Sequence, residues 1–148
     1  MLVNNAGIAA RVRLDEMGVE TWDAVVDSNL KGTFLVTRAF LPAMRARRRG
    51  RIVNIASISG RQGTALLSAY CAAKHGVVGL TRALAEELRA DGIAVNAVCP
   101  GSVDTPMLQV GMPGAKPDMS PEDVAGVVLY LAAEAPAALT GSCVDVFG

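Results

Sequence analysis

Short runs of β-branched residues alternate with much longer helical patterns along this chain, and that alternation limits the fold more than any other feature. Four segments read as buried strands: Leu2-Val3, Arg51-Ile52-Val53-Asn54-Ile55, Ile93-Ala94-Val95-Asn96-Ala97-Val98 and Cys143-Val144-Asp145-Val146. They are brief and bounded by Gly, Asn or Pro, as strands of a parallel sheet are. Between the first two, Trp22, Val25, Val26, Leu30, Phe34 and Leu35 recur at three- and four-residue steps and predict a helix. Thr21 can cap it, and Pro42 is expected to kink it or end its regular hydrogen bonding. A second helix is predicted from about Leu66 to Arg89, with Val77, Val78, Leu80 and Leu84 on apolar faces and Asp91-Gly92 as its stop. A third starts at Ser120 as N-cap, with Pro121 at the first helical position and Glu122 and Asp123 in the first turn. This alternation implies right-handed crossovers and an α/β, doubly wound parallel sheet of about four strands, covered on both faces. Sites in such sheets lie beyond the carboxyl ends of the strands. Polar residues, Gly and Pro gather at those places: Asn4-Asn5-Ala6-Gly7, Ser57-Ile58-Ser59-Gly60 and Pro100-Gly101-Ser102-Val103-Asp104-Thr105.

Composition removes several classes of function. The 148 residues suit one domain, and 51% hydrophobic content argues against disorder. Fourteen Lys+Arg against fourteen Asp+Glu give no net charge, which argues against a nucleic-acid partner. The arginine run Arg45, Arg47, Arg48, Arg49 and Arg51 reads as a solvated helix terminus. No apolar run is long enough to span a membrane, and Met1 to Asn5 carries no basic segment leading into an apolar one, so a cytoplasmic location is expected. Cys71, Cys99 and Cys143 are too far apart for a metal cluster or a disulfide framework and read as free core thiols. No metal site is expected.

Chemistry concentrates on one helix. Tyr70 and Lys74 are four residues apart and share a helix face. A free phenol, with a pKa of about 10, is a poor base at neutral pH. An ammonium at ~4 Å favours the phenolate by about 4 kcal/mol at an effective dielectric of ~20, enough to bring the phenol to about 7, where it can act as general acid and base. Taken alone, a Tyr and a Lys at this spacing more often mark an exposed helix face. Here Ser57 follows the second strand, thirteen residues before Tyr70, and can place its hydroxyl beside a substrate oxygen. Asn29 falls inside the first long helix, where Asn is a poor resident; it marks either a local kink or a functional polar site. His75 reads as a surface or packing residue, and Trp22 as a core anchor.

These residues resemble the short-chain dehydrogenase/reductase family. The resemblance is carried by Asn4-Asn5-Ala6-Gly7, Ser28-Asn29-Leu30-Lys31-Gly32, Arg51 to Ser57, Tyr70-Cys71-Ala72-Ala73-Lys74, and Val95 to Gly101 with Thr105. It covers essentially the whole chain, and five motifs in order are far more specific than one. The forms N-N-A-G and Y-x-x-x-K look like the single-domain branch. The resemblance implies hydride transfer between NAD or NADP and a small-molecule ketone or secondary alcohol, and a homodimer or homotetramer. Tyr70 would give or take the proton. Lys74 would lower its pKa and hold the cofactor ribose, Ser57 would hold the substrate oxygen, and Asn29 would hold a water linking Lys74 to a proton relay. Pro100, Gly101, Val103 and Thr105 would line the nicotinamide, and Asn5, Ala6 and Gly7 would sit beside the adenine ribose and stabilise the central sheet.

The sequence also departs from the family pattern. No G-x-x-x-G-x-G phosphate loop stands before Asn4, and roughly 80–90 residues of β-α units would precede that point in the family. The expectation is therefore an N-terminally truncated Rossmann-type domain over residues 1–148, the C-terminal part of the fold. The alternative function is a non-catalytic fragment that cannot bind cofactor and acts only by oligomerising. Phe147 stands where the family usually has Asp. The segment from Pro106 to Met119 is either an apolar lid, through Met107, Leu108, Val110 and Met112, or a mobile loop.

Overall fold

The computed structural model describes residues 1–148. Four parallel strands, β1 (Leu2–Asn4), β2 (Gly50–Ile55), β3 (Ile93–Pro100) and β4 (Cys143–Val146), form one sheet in chain order. β3 is central and buried at every position, which is why it reads as a nearly continuous apolar run. Its one strongly polar residue is satisfied: Asn96 donates to the Leu139 carbonyl at 2.8 Å and accepts from the Ser142 amide at 3.0 Å.

The helices are α1 (Val19–Val26), α2 (Gly32–Ala46), α3 (Ser68–Leu88), α4 (Pro106–Gly111) and α5 (Pro121–Leu129). On one face of the sheet, Ile52, Ile93 and Val95 pack with Met44 of α2 and with Ala85 and Leu88 of α3. On the other face, Val53 and Val98 pack under Leu131, Ala132 and Ala135, with Val124, Val127 and Val128 of α5 alongside. The strand alternation thus sorts each sequence run onto two cores.

Several local expectations are corrected. Gly18, not Thr21, occupies the N-cap of α1. The first long helical pattern is two helices joined by a π turn over Asp27–Lys31. Pro42 does not end α2, which runs on to Ala46; Pro42 and Arg38 are both exposed, so water can take up the carbonyl that the missing N–H leaves free. Trp22 is 37% exposed rather than a core anchor. α1 is short and packs chiefly on α3, and Val25 carries its buried row. The arginine run is more than a solvated end. Arg45 pairs with Glu87 and Asp91, Arg48 donates to the Ala90 carbonyl, and half-buried Arg51 donates to the carbonyls of Leu131 and Ala135. All three cysteines are free, and only Cys99 is fully buried.

Other expectations hold. α3 ends in a 3-10 turn at Arg89–Asp91, and Gly92 breaks it with φ +69°. Ser120 and Asp123 form a reciprocal capping box at the start of α5.

Candidate active site

The carboxyl ends of β1, β2 and β3 open onto one cleft of about 960 Å³. Ser57, Tyr70, Lys74, the segment Asn5-Ala6-Gly7, and Pro100, Gly101, Val103 and Thr105 all line it, so the fold brings together every expected site residue except Asn29. Asn29 lies just behind Gly7. Its Nδ2 donates to the carbonyls of Val25 and Ile8, each at 2.8 Å, while its Oδ1 is buried without a hydrogen-bond partner. A Cβ on Gly7 would lie 2.5 Å from that oxygen and in ordinary contact, 3.6 Å, with Lys74 Nζ, so a side chain here would crowd Asn29. Asn29 thus sits in a π turn and presents an unpaired polar atom.

Lys74 is anchored by donating to the Ile55 carbonyl at 2.7 Å, which ties the middle of α3 to the end of β2. Its ammonium lies 5.5 Å from the centre of the Tyr70 ring. Ser57 caps the 3-10 turn Ile58–Gly60, its Oγ accepting from the Ser59 amide at 3.1 Å. The expected electrostatics are corrected here. Burial raises the Tyr70 phenol, and Ser57 opposes this by less; burial also lowers Lys74 to about 8. Removal from water disfavours both charged forms, and at this separation it outweighs the attraction between them.

Residues outside the sequence expectations help shape the site. A polar ladder crosses the sheet from α2 to α3: Asn4 Nδ2 donates to Thr37 at 3.0 Å and to Asn54 at 2.8 Å, Asn54 donates to Thr81 at 2.9 Å, and Thr81 donates to the Val77 carbonyl. The clue in the sequence was an Asn in each of two apolar strands, and these face each other in register. Arg61 pairs with Asp145 and donates to the Cys143 carbonyl, holding the turn after Ser57 to β4. The Pro106–Met119 segment folds back over the cleft as α4 and a bridge between Val103 and Met119. Arg11 donates to the Gly111 carbonyl at 3.0 Å, and the Tyr70 hydroxyl lies 3.9 Å from Met107 Sδ.

The family described as short chain dehydrogenase matches residues 1–113. The chain belongs to the short-chain dehydrogenase family. It is 40% identical over 158 residues to the 3-oxoacyl-(acyl-carrier-protein) reductase of Thermotoga maritima, covering 100% of this chain and 64% of that enzyme. The structure of a 3-oxoacyl-(acyl-carrier protein) reductase from Brucella melitensis with bound NAD is 39% identical, with a TM-score of 0.88, over 99% of this chain and 60% of that one. A Beutenbergia cavernae structure with NADP at low occupancy is 37% identical, with a TM-score of 0.88, over 97% of this chain and 63% of that one. The chain thus spans less than two thirds of the length of these relatives.

Proposed function

We propose that this chain supplies the catalytic side of an oxidoreductase that moves a hydride between NAD or NADP and a ketone or secondary alcohol. The observation that carries this reading is the convergence of Ser57, Tyr70 and Lys74 with residues 5–7 and 100–105 on one cleft. The reductase relative, and the NAD and NADP in the similar structures, support it.

The residues present fit the nicotinamide half of such a cofactor. The cleft has open strand ends on one side and the α3 cation on the other, and the orphaned Asn29 oxygen faces Gly7 and Lys74. No G-x-x-x-G-x-G occurs within residues 1–148, so the contact these residues make is with the nicotinamide and its ribose. The bound cofactor supplies or accepts the hydride, chemistry that no side chain here offers. In reduction Tyr70 Oη gives its proton to the substrate oxygen, and in oxidation it takes one. Ser57 Oγ holds that oxygen in place. Lys74 holds the ribose and, while charged, favours the phenolate that forms as Tyr70 gives up its proton. Asn29 Oδ1 accepts from a water that connects Lys74 to solvent.

In this reading residues 1–148 form one Rossmann-type domain that works in the cytoplasm on a small molecule, without nucleic acid or membrane. No helix is long and apolar enough to cross a membrane. The domain associates as a homodimer or homotetramer through the exposed apolar face of α2.

Saturation-transfer NMR with NADH, NADPH and reduced nicotinamide mononucleotide tests the cofactor half. The nicotinamide and its ribose should receive magnetisation, with similar affinity for mononucleotide and dinucleotides and loss of the signal in Lys74→Ala. No nicotinamide contact would favour a chain that acts by association alone. In turnover, Tyr70→Phe should lower the rate at least about 10²-fold, and retained turnover would remove Tyr70 from its role.

A further inference from the structure

We propose that the substrate end of the cleft selects a ketone flanked by an uncharged apolar chain and rejects one that carries a carboxylate. This rests on the oxidoreductase reading above and names its substrate class.

The geometry begins at the Tyr70 hydroxyl. The hydroxyl lies 3.9 Å from the thioether of Met107 on α4, so the wall beside the place a substrate oxygen must take is a weak, apolar acceptor. Buried Leu67, together with Leu108 and Met112, continues this wall. Met107 and Met112 are 37% and 36% exposed, apolar surface that an aliphatic chain would cover. Unbranched thioethers adapt to chains of different shape, so the wall selects polarity more than length. The polar groups at this end, Gln62 and Thr64, are neutral.

The charges of the cleft are placed where they cannot serve a substrate carboxylate. Lys74 gives one N–H to the Ile55 carbonyl, lies beyond the Tyr70 ring from Met107 and, in the reading above, serves the cofactor ribose. Asp118, of the wrong sign, lies by Phe147 and Gly148 on the β4 side. Arg11 is bonded to the Gly111 carbonyl of α4 and does not line the cleft. A carboxylate entering beside Met107 would lose water without gaining a counter-charge, which disfavours it strongly.

The test uses the full 148-residue chain labelled with 13C at the methionine methyls. There are six methionines, and Met→Leu variants assign Met107 and Met112. The ligands are 4-oxooctanoate and its methyl ester, which share carbonyl and chain and differ in charge. The ester should shift the Met107 and Met112 signals saturably, and the acid should bind at least about tenfold more weakly. Met112→Lys, which adds the missing cation at the end of α4, should narrow that ratio about tenfold. Three results overturn the proposal: equal or tighter binding of the acid, a ratio unchanged by Met112→Lys, or an ester that leaves Met107 and Met112 unmoved at about 10 mM. The readout needs neither cofactor nor turnover. Failure of the hydride-transfer reading would instead appear in the nicotinamide contacts and in Tyr70→Phe.

Discussion

A buried lysine beside a buried tyrosine makes stability depend on pH in a direction that can be worked out. Lys74 falls from 10.5 to about 8 on folding. The folded value is the lower one, so between the two the unfolded chain binds more protons and stability rises with pH. Cys99, raised from 9.0 to about 11, and Tyr70, raised by burial, act the other way at the alkaline end. Comparison with Lys74→Met isolates the lysine. Relative to that variant, the wild type should gain about 1–3 kcal/mol between neutral pH and about pH 10 in urea unfolding. Parallel pH profiles for the two proteins would show that Lys74 is not held as described. At Gly7 the constraint is space. Gly7→Ala would drive a methyl into Asn29 Oδ1 and should cost about 1–3 kcal/mol by the same measurement. The pairing of Tyr70 with Lys74 was legible in the sequence because four-residue spacing on a helix fixes a shared face. The sign of their pKa changes was not, because it depends on what β2, α4 and the turn after Ser57 lay over them.

Among the elements, local signals were read well and signals carried by distant partners were not. The start of α5 was plain because Ser120, Pro121 and Asp123 act within one turn. Asn29 is out of place by helix propensity, but its π turn is stabilised by the Ile8 carbonyl from the loop after β1, which helical periodicity does not reveal. Whether Pro42 ends α2 depends on which side of the helix meets water, which the sequence around it does not state. The second π turn, Tyr130–Glu134, is likewise completed from outside, since Arg51 on β2 donates to the carbonyls of Leu131 and Ala135. Arg51→Ala should therefore loosen a segment 80 residues away, at a cost of about 1–3 kcal/mol. Faster hydrogen exchange at Leu131 to Ala135, with α3 unchanged, is the expected signature, and equal exchange in both proteins would mean that the π turn stands without Arg51.

For the molecule as a whole, the strand order and the site at the strand ends follow from the alternation of runs, because crossover handedness leaves few topologies. What the alternation cannot show is which apolar residues stay uncovered. Phe34, Leu35, Val36 and Phe40 of α2 are all 42–54% exposed, and β1 pairs on one side only. Light scattering coupled to size exclusion should show mass rising with concentration, and Phe40→Glu should lower the fraction associated. A monomer at every concentration would contradict the helix face as an association surface. The covering of the second sheet face bears on how the chain is made. Val53 and Val98 are buried under residues 124–139 and beside β4, and the Arg51 guanidinium waits for carbonyls 80 and 84 positions later. A ribosome making these residues leaves the oily side of β2 and β3 bare until residues 124–139 emerge. A nascent chain stalled before Val124 is then a client for any chaperone that grips bare aliphatic surface, and emergence of residues 124–139 is what ends that dependence.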